Sequence, residues 1–272
     1  MRCHFMNAFK AYYKAYVKVV FQHRVGLLLS VVIDPIVVLV TISLFTSIYT
    51  HQGAHSIAGY ELTQMIWYFA GINFVWYLTF TFTDIFLSEG ILTGDLSLYL
   101  IRPCSVMNML LANSAAIRTL GACFEFFPNF IVYSLLCPPT FMSVGSFFRF
   151  LSCILLSFFL TFFINFLVGL SAFIFKNNLS LRHLKTILIG LLGGGFFPLD
   201  FYPPWLARIL DFLPFKYVFF MPLQFLLNKE GTRSLLEYGQ AIGIQLAWIM
   251  TLFLLCRILW HKAIKHFCGV GG

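Results

Sequence analysis

The sequence predicts an all-α integral membrane protein. It has six transmembrane helices, an N-terminal interfacial amphipathic helix, and a re-entrant external segment between spans 5 and 6. Three observations predict this. Hydrophobic residues make up 60% of the chain and charged residues only 10%, with a mean hydropathy of +0.87; a soluble domain carries about 25% charge. Apolar runs long enough for the roughly 20-residue helix that a bilayer core requires recur along the chain. One such run stops short: Gly193-Gly194-Gly195-Phe196-Phe197-Pro198 follows it after about 14 apolar residues, roughly 21 Å of helix. Irregular backbone at that depth survives only where it is buried in protein or lines a watery cavity.

The 272 residues leave room for six spans and short loops, and for no sizeable soluble domain. The whole chain, 1–272, therefore reads as one transmembrane domain. It divides into an interfacial helix (1–24), spans 1–4 (25–175), span 5 with the re-entrant segment (176–235), and span 6 with a tail (236–272). The formal charge of +8 does not point to nucleic acid, because no dense basic patch carries interleaved aromatics. The 34 Phe read as lipid-facing and interhelical packing, with an aromatic-lined path as the alternative. The seven Cys are scattered, with no CxxC and no zinc spacing, and read as small buried hydrophobes. No cleavable signal peptide is evident.

Residues 4–24 come first. Lys10, Lys14 and Lys18 recur every four residues, which stacks them on one helical face. Phe5, Phe9, Tyr12, Tyr16 and Val20 gather on another, the pattern of a helix lying in the headgroup plane. The spans follow at about 25–49, 64–87, 109–136, 147–175, 184–199 and 236–260. Residues 205–228 are apolar enough to suggest a seventh, but Arg208, Asp211, Pro214, Lys216 and Pro222 are costly or disruptive in lipid. Residues 193–228 therefore read as two short helices broken at prolines.

Lys and Arg set the orientation. With the N-terminus inside, the cytoplasmic pieces hold 12 of the 18 basic residues, Lys185 among them, and the first outer loop, about 50–63, holds none. Both termini are thus expected in the cytoplasm.

Enzyme motifs are missing: there is no HExxH, no GxSxG and no Walker A loop. Leu92-Thr93-Gly94-Asp95 lacks the first glycine of a GxGD protease motif and falls in a loop. His51 and His55 supply only two ligands in an external loop.

Two segments do resemble a family. Gly90-Ile91-Leu92-Thr93-Gly94-Asp95-Leu96, leading to Tyr99-Leu100-Ile101-Arg102-Pro103, is similar to the cytosolic loop after the second span in permeases of the second type of ABC exporter. The Gly193–Gly195 run with Pro198, Pro203, Pro204 and Pro214 resembles the external segment between their fifth and sixth spans. The resemblance covers nearly the whole chain and implies a subunit that exports drugs, glycans or lipids. It implies two kinds of partner: an ABC ATP-binding subunit and a second permease, identical or a sister. It places the protein in the cell (inner) membrane, leaves this chain without a bound cofactor, and assigns ATP and Mg to the ATPase. Gly90, Gly94, Asp95, Leu100, Arg102 and Pro103 would then form the ATPase-coupling loop, with Gly90 and Gly94 bracketing a turn and Arg102-Pro103 stopping a helix. A plain helix-end turn is the alternative reading of the same residues.

Intramembrane charges are the remaining candidates, because such residues are expensive in lipid and usually face a cavity or a partner. Arg118 and Glu125, seven apart on the third span, share a face. The sequence leaves open whether Arg118 snorkels towards the cytosol and whether Glu125 serves transport or packing. Asp34, next to Pro35, is similar, and Asp84 reads as interfacial. A secondary transporter is the rival class, but it would show internal repeats and paired intramembrane acids; a membrane enzyme would need a reactive cluster.

Overall fold

The computed structural model describes residues 2–22, 24–102, 104–175 and 178–265. The architecture is helical throughout, apart from one short hairpin. Helix α1 (Arg2–Gln22) is followed by α2 (Arg24–Gln52), which continues through Pro35. On α1, Lys10, Lys14 and Lys18 are exposed while Tyr12 and Tyr16 are half-buried, the two-sided pattern expected of it. The hairpin pairs β1 (Ser56–Ile57) with β2 (Tyr60–Glu61). Its two-residue turn has positive φ at both Ala58 (49°) and Gly59 (79°), as a twisted hairpin requires.

Among the described residues, four segments are long and apolar enough to cross a membrane: Pro35–Gln52, Val106–Leu136, Val144–Phe173 and Leu235–Ile264. Two further candidates are bent pairs. Helices α3 (Leu62–Thr79) and α4 (Thr83–Thr93) meet at 40°, so the second span is broken rather than continuous over 64–87. Helix α10 (Pro204–Asp211) and the Pro214–Leu226 segment, which contains α11 (Phe220–Leu226), meet at 78°. These are the two short helices expected at 193–228.

Before α10 in sequence lies α9 (Leu179–Leu192), 14 residues long, starting and ending earlier than the expected 184–199. At 1.5 Å per residue it covers roughly 21 Å, short of the ~30 Å hydrocarbon core.

The third span is α6 (Val106–Gly121) and α7 (Phe127–Leu136) joined by a π-helical turn at Ala122–Phe126. Pro128 explains that turn: it cannot donate to residue 124, and its ring would press on that carbonyl in a regular helix.

Helix α8 (Val144–Leu170) is the hub. Of its most apolar window 72% is buried, against 11% for Pro35–Gln52 and 17% for α12 (Leu235–Ile264), so α8 faces protein where the others face outward. It packs against α12, α4, α11 and α3. Its Phe162, Phe163 and Phe166 are buried, and Phe163 and Phe166 lie 5.6 and 6.0 Å from the rings of Phe253 and Trp260 on α12. Much of the phenylalanine content therefore packs helix on helix.

Candidate functional site

The break in the second span begins with Thr79-Phe80-Thr81-Phe82-Thr83. Alternating β-branched and aromatic residues favour extended backbone over helix. Phe80 is extended (φ −63°, ψ 132°), and Thr79, Thr81 and Thr83 turn inward and are buried. A helix that stops inside a membrane leaves carbonyls that no water can satisfy. Side chains from the third and fourth spans meet several of them. Arg118 Nη1 donates to the Tyr77 and Trp76 carbonyls at 3.0 and 3.3 Å. Thr161 donates to the Thr79 carbonyl at 2.9 Å. Asn165 Nδ2 donates to the Thr81 carbonyl at 3.0 Å and to its hydroxyl at 2.7 Å. Arg118 is thus spent on backbone at the break and does not snorkel to the cytosol.

Below the break, Asp84 occupies the first turn of α4, where the helix dipole favours a carboxylate. It does not face solvent. It is 3% exposed and paired with Lys185 of α9 at 2.8 Å. Lys185, counted above among the cytoplasmic residues, is itself 8% exposed and also donates to Asn165 Oδ1 at 2.6 Å. Ser88 donates to the Asp84 carbonyl, and Asn178 Nδ2 donates to Ser88 Oγ at 2.6 Å. A small cavity of about 20 Å³ lies beside the pair, lined by Trp76, Phe80, Thr161, Lys185 and Phe219 among others; that is room for about one water. The network joins both halves of span 2 to spans 4 and 5.

The structure brings Arg118 and Glu125 together beside Gly121: a Cβ there would lie 3.1 Å from Glu125 Oε2 and 3.7 Å from Arg118 Nη1. Glu125 sits in the π-turn, and its carbonyl accepts from Asn129 Nδ2 at 2.8 Å. The side chain of Asp34 and the whole of Pro103 lie outside the described residues.

Helix α4 runs directly into the loop singled out in the sequence. Gly94 ends it with φ +83°, a left-handed conformation that glycine adopts without strain. Thr93 donates to Asp95 Oδ2 at 2.8 Å, and α5 (Leu96–Leu100) follows. Gly90 does not bracket the turn. It lies within α4, where a Cβ would touch the Tyr99 ring at 3.4 Å. Leu96 is buried and anchors the loop, whereas Leu98, Leu100 and Ile101 are exposed, Ile101 at 82%. Arg102 stacks over Tyr99 at 5.3 Å. Helix α1 packs on α6 and brings Tyr16 to the same place. Burial pushes the Tyr16 phenol up, Tyr99 adds to this, and Arg102 opposes it.

At the opposite end of α9 the three glycines make close backbone contacts. The Gly193 carbonyl accepts from Phe220 N at 2.9 Å, and Gly195 N donates to the Gly190 carbonyl at 2.7 Å. Gly194 has φ +83°, and its carbonyl accepts from the buried Tyr68 hydroxyl at 2.8 Å. Pro198 and Pro214 are buried, while Pro203 and Pro204 are exposed at the start of α10. Tyr60 Oη donates to Asp200 Oδ2 at 2.5 Å and accepts from Gln224 at 2.6 Å. Burial and then Asp200 push its phenol up, which keeps it protonated as a donor. The hairpin is thereby tied to the glycine–proline segment.

The residues of the loop after α4, the glycine–proline segment and the Arg118–Glu125 pair thus occupy three separate places. The sequence reading missed the link between the first two, Asp84–Lys185 with Asn165. The Thr/Phe alternation at 79–83 was the available signal for the break. Among the described residues no group of three or more His, Cys, Asp or Glu could hold a metal.

No curated protein and no solved structure matches the chain. The family model described as ABC-2 family transporter protein matches residues 36–271, which takes in every candidate site residue except Asp34, and leaves out α1. A match over most of the chain, on a helical membrane scaffold, places this protein in the ABC-2 family as the membrane subunit of an ABC transporter.

Proposed function

We propose that this subunit is the permease of an ATP-driven exporter, moving its substrate outward from the cytosol or the inner leaflet. The observation that carries the reading is the route from exposed loop to glycine segment. Exposed Leu98, Leu100 and Ile101 supply the apolar contact area that an ATP-binding subunit would cover. Behind them α4 leads to Asp84, Asp84 is paired with Lys185, and α9 carries Lys185 on to Gly193–Gly195. Movement of the loop when ATP closes the partner would therefore reach the re-entrant segment through one ion pair and two helices. Nucleotide binding drives the cycle because it favours one of two arrangements of the permease.

The reading includes a second permease, identical or a sister, and assigns ATP and Mg to the ATPase subunit. It places the protein in the cell (inner) membrane with both termini cytoplasmic. The test is co-purification with the ATP-binding subunit and substrate-stimulated ATPase activity after reconstitution. Gly94→Trp and Arg102→Glu should insert normally yet lose most of that stimulation and most export, since one charge-assisted contact contributes about 1.5–3 kcal/mol. Glu125→Gln should leave ATPase docking unchanged and alter only substrate handling. Full stimulation in both loop variants would reduce the loop to a connector.

A further inference from the structure

Far from the glycine segment, the ends of three membrane helices enclose a second cavity, of about 310 Å³. It lies between the start of α6, the end of α8 and the last turns of α12. Phe166, Phe253 and Trp260 form its apolar walls, and Arg257 and His261 its charged and polar rim. The volume is at the low end of ligand sites, roughly 300–1,000 Å³: enough for a polar headgroup, not for a whole lipid.

Its electrostatics are one-sided. No Asp or Glu lines the cavity, and the two ion pairs among the described residues, Lys185–Asp84 and Lys216–Asp211, lie elsewhere. Arg257 stacks on Phe253 at 5.8 Å and has no carboxylate partner among the described residues. His261 Nδ1 faces the Arg257 carbonyl at 2.8 Å; a carbonyl only accepts, so Nδ1 carries the proton and Nε2 is left for another partner. A guanidinium at the rim with no carboxylate partner, beside an imidazole with a free ring nitrogen, calls for an anion from outside.

The surroundings say which anion. Beside Arg257 and His261 on α12, Leu254 and Ile258 are exposed, an apolar edge suited to acyl chains. Trp260, half-buried at the rim, is the residue type that settles at the membrane–water boundary. In the orientation proposed above, on which this inference rests, this end of α12 meets the cytoplasmic leaflet, where anionic lipids concentrate and attract basic residues. We propose that this cavity binds the phosphate headgroup of an anionic phospholipid, held by Arg257 with His261, its acyl chains lying along Leu254 and Ile258. The bound lipid joins the end of α12 to Ser105, the residue that caps α6 just past the loop containing Arg102.

Native mass spectrometry of the full chain in detergent tests this, with phosphatidylglycerol, diacylglycerol, glycerol 3-phosphate and inorganic phosphate as probes. Wild type should retain one phosphatidylglycerol per chain and no diacylglycerol. Arg257→Gln with His261→Gln should weaken that binding by about tenfold or more, as expected for a lost charge-assisted contact. Arg257→Lys, which keeps the charge and the fold, should retain most of it. The exposed Arg208 of α10 is the control, and Arg208→Gln should change nothing. Equal retention by wild type and the double variant would overturn the assignment. So would displacement of the lipid by inorganic phosphate or glycerol 3-phosphate, which would make this a site for a soluble anion.

Discussion

Lys185 Nζ lies 2.8 Å from Asp84 Oδ2, with both side chains less than a tenth exposed, and the pair bridges the lower half of the broken second span to the short fifth helix. Neither helix is built to be independent: α4 has 11 residues and α9 has 14. Each is held in place by a charge that only the other neutralises. Removing one partner of a buried pair typically costs about 3–5 kcal/mol, whereas removing both can be nearly neutral. Asp84→Asn and Lys185→Met should therefore each lower the thermal unfolding temperature in detergent, and the double variant should lose much less than the sum. Additive losses would mean that the two charges do not depend on each other.

The third span should prove essential to the break in the second. Arg118→Met leaves the Tyr77 carbonyl without the donor it has at 3.0 Å, and an unmade buried hydrogen bond costs about 1–3 kcal/mol. Gly121→Ala should act at the same place by crowding, since its Cβ would lie 2.8 Å from that carbonyl. Both variants should unfold at lower temperature than wild type, with Arg118→Lys intermediate. Unchanged unfolding of Arg118→Met would show that the carbonyl finds another donor.

At Gly194 a side chain is excluded twice, by φ +83° and by the Tyr68 hydroxyl 2.8 Å from where a Cβ would sit. Gly194→Ala should impair transport while ATPase co-purification persists. Tyr68→Phe removes only the hydrogen bond to the Gly194 carbonyl, about 0.5–1.5 kcal/mol, and should have a milder effect in the same direction. Replacing Gly194 and Gly195 together with Leu should be the most severe. Normal transport by the double Leu variant would remove the case for a gate.

Orientation is open to direct measurement. Single cysteines at the exposed positions Gly53, Thr140 and Glu230, in a background without native Cys, should react with an impermeant reagent from outside. One at the exposed Ser97 should react only after permeabilisation. Labelling of Ser97 from outside would invert the topology.

Composition and hydropathy by themselves determined the class, the helical content and the approximate place of the long spans, because bilayer thickness and backbone hydrogen bonding leave few alternatives. The motifs around Gly94 and Gly193–Gly195 also identified the family, which the match over residues 36–271 establishes. Local chemistry was legible where a residue acts on its own backbone: Gly94 does end a helix at a turn, and the two short helices of 193–228 do break at a proline.

What only the tertiary structure decided is where the charges go. A sequence places Asp84 at a span's end and Lys185 in a basic stretch, and each alone reads as solvated. Their burial follows from a contact between residues 101 positions apart, which no local period encodes. The same holds for Arg118, whose partners are the Trp76 and Tyr77 carbonyls beside the break, 42 and 41 residues away. A charge inside a membrane is stable only with its partner, and chain folding, not the residue's own neighbours, chooses that partner.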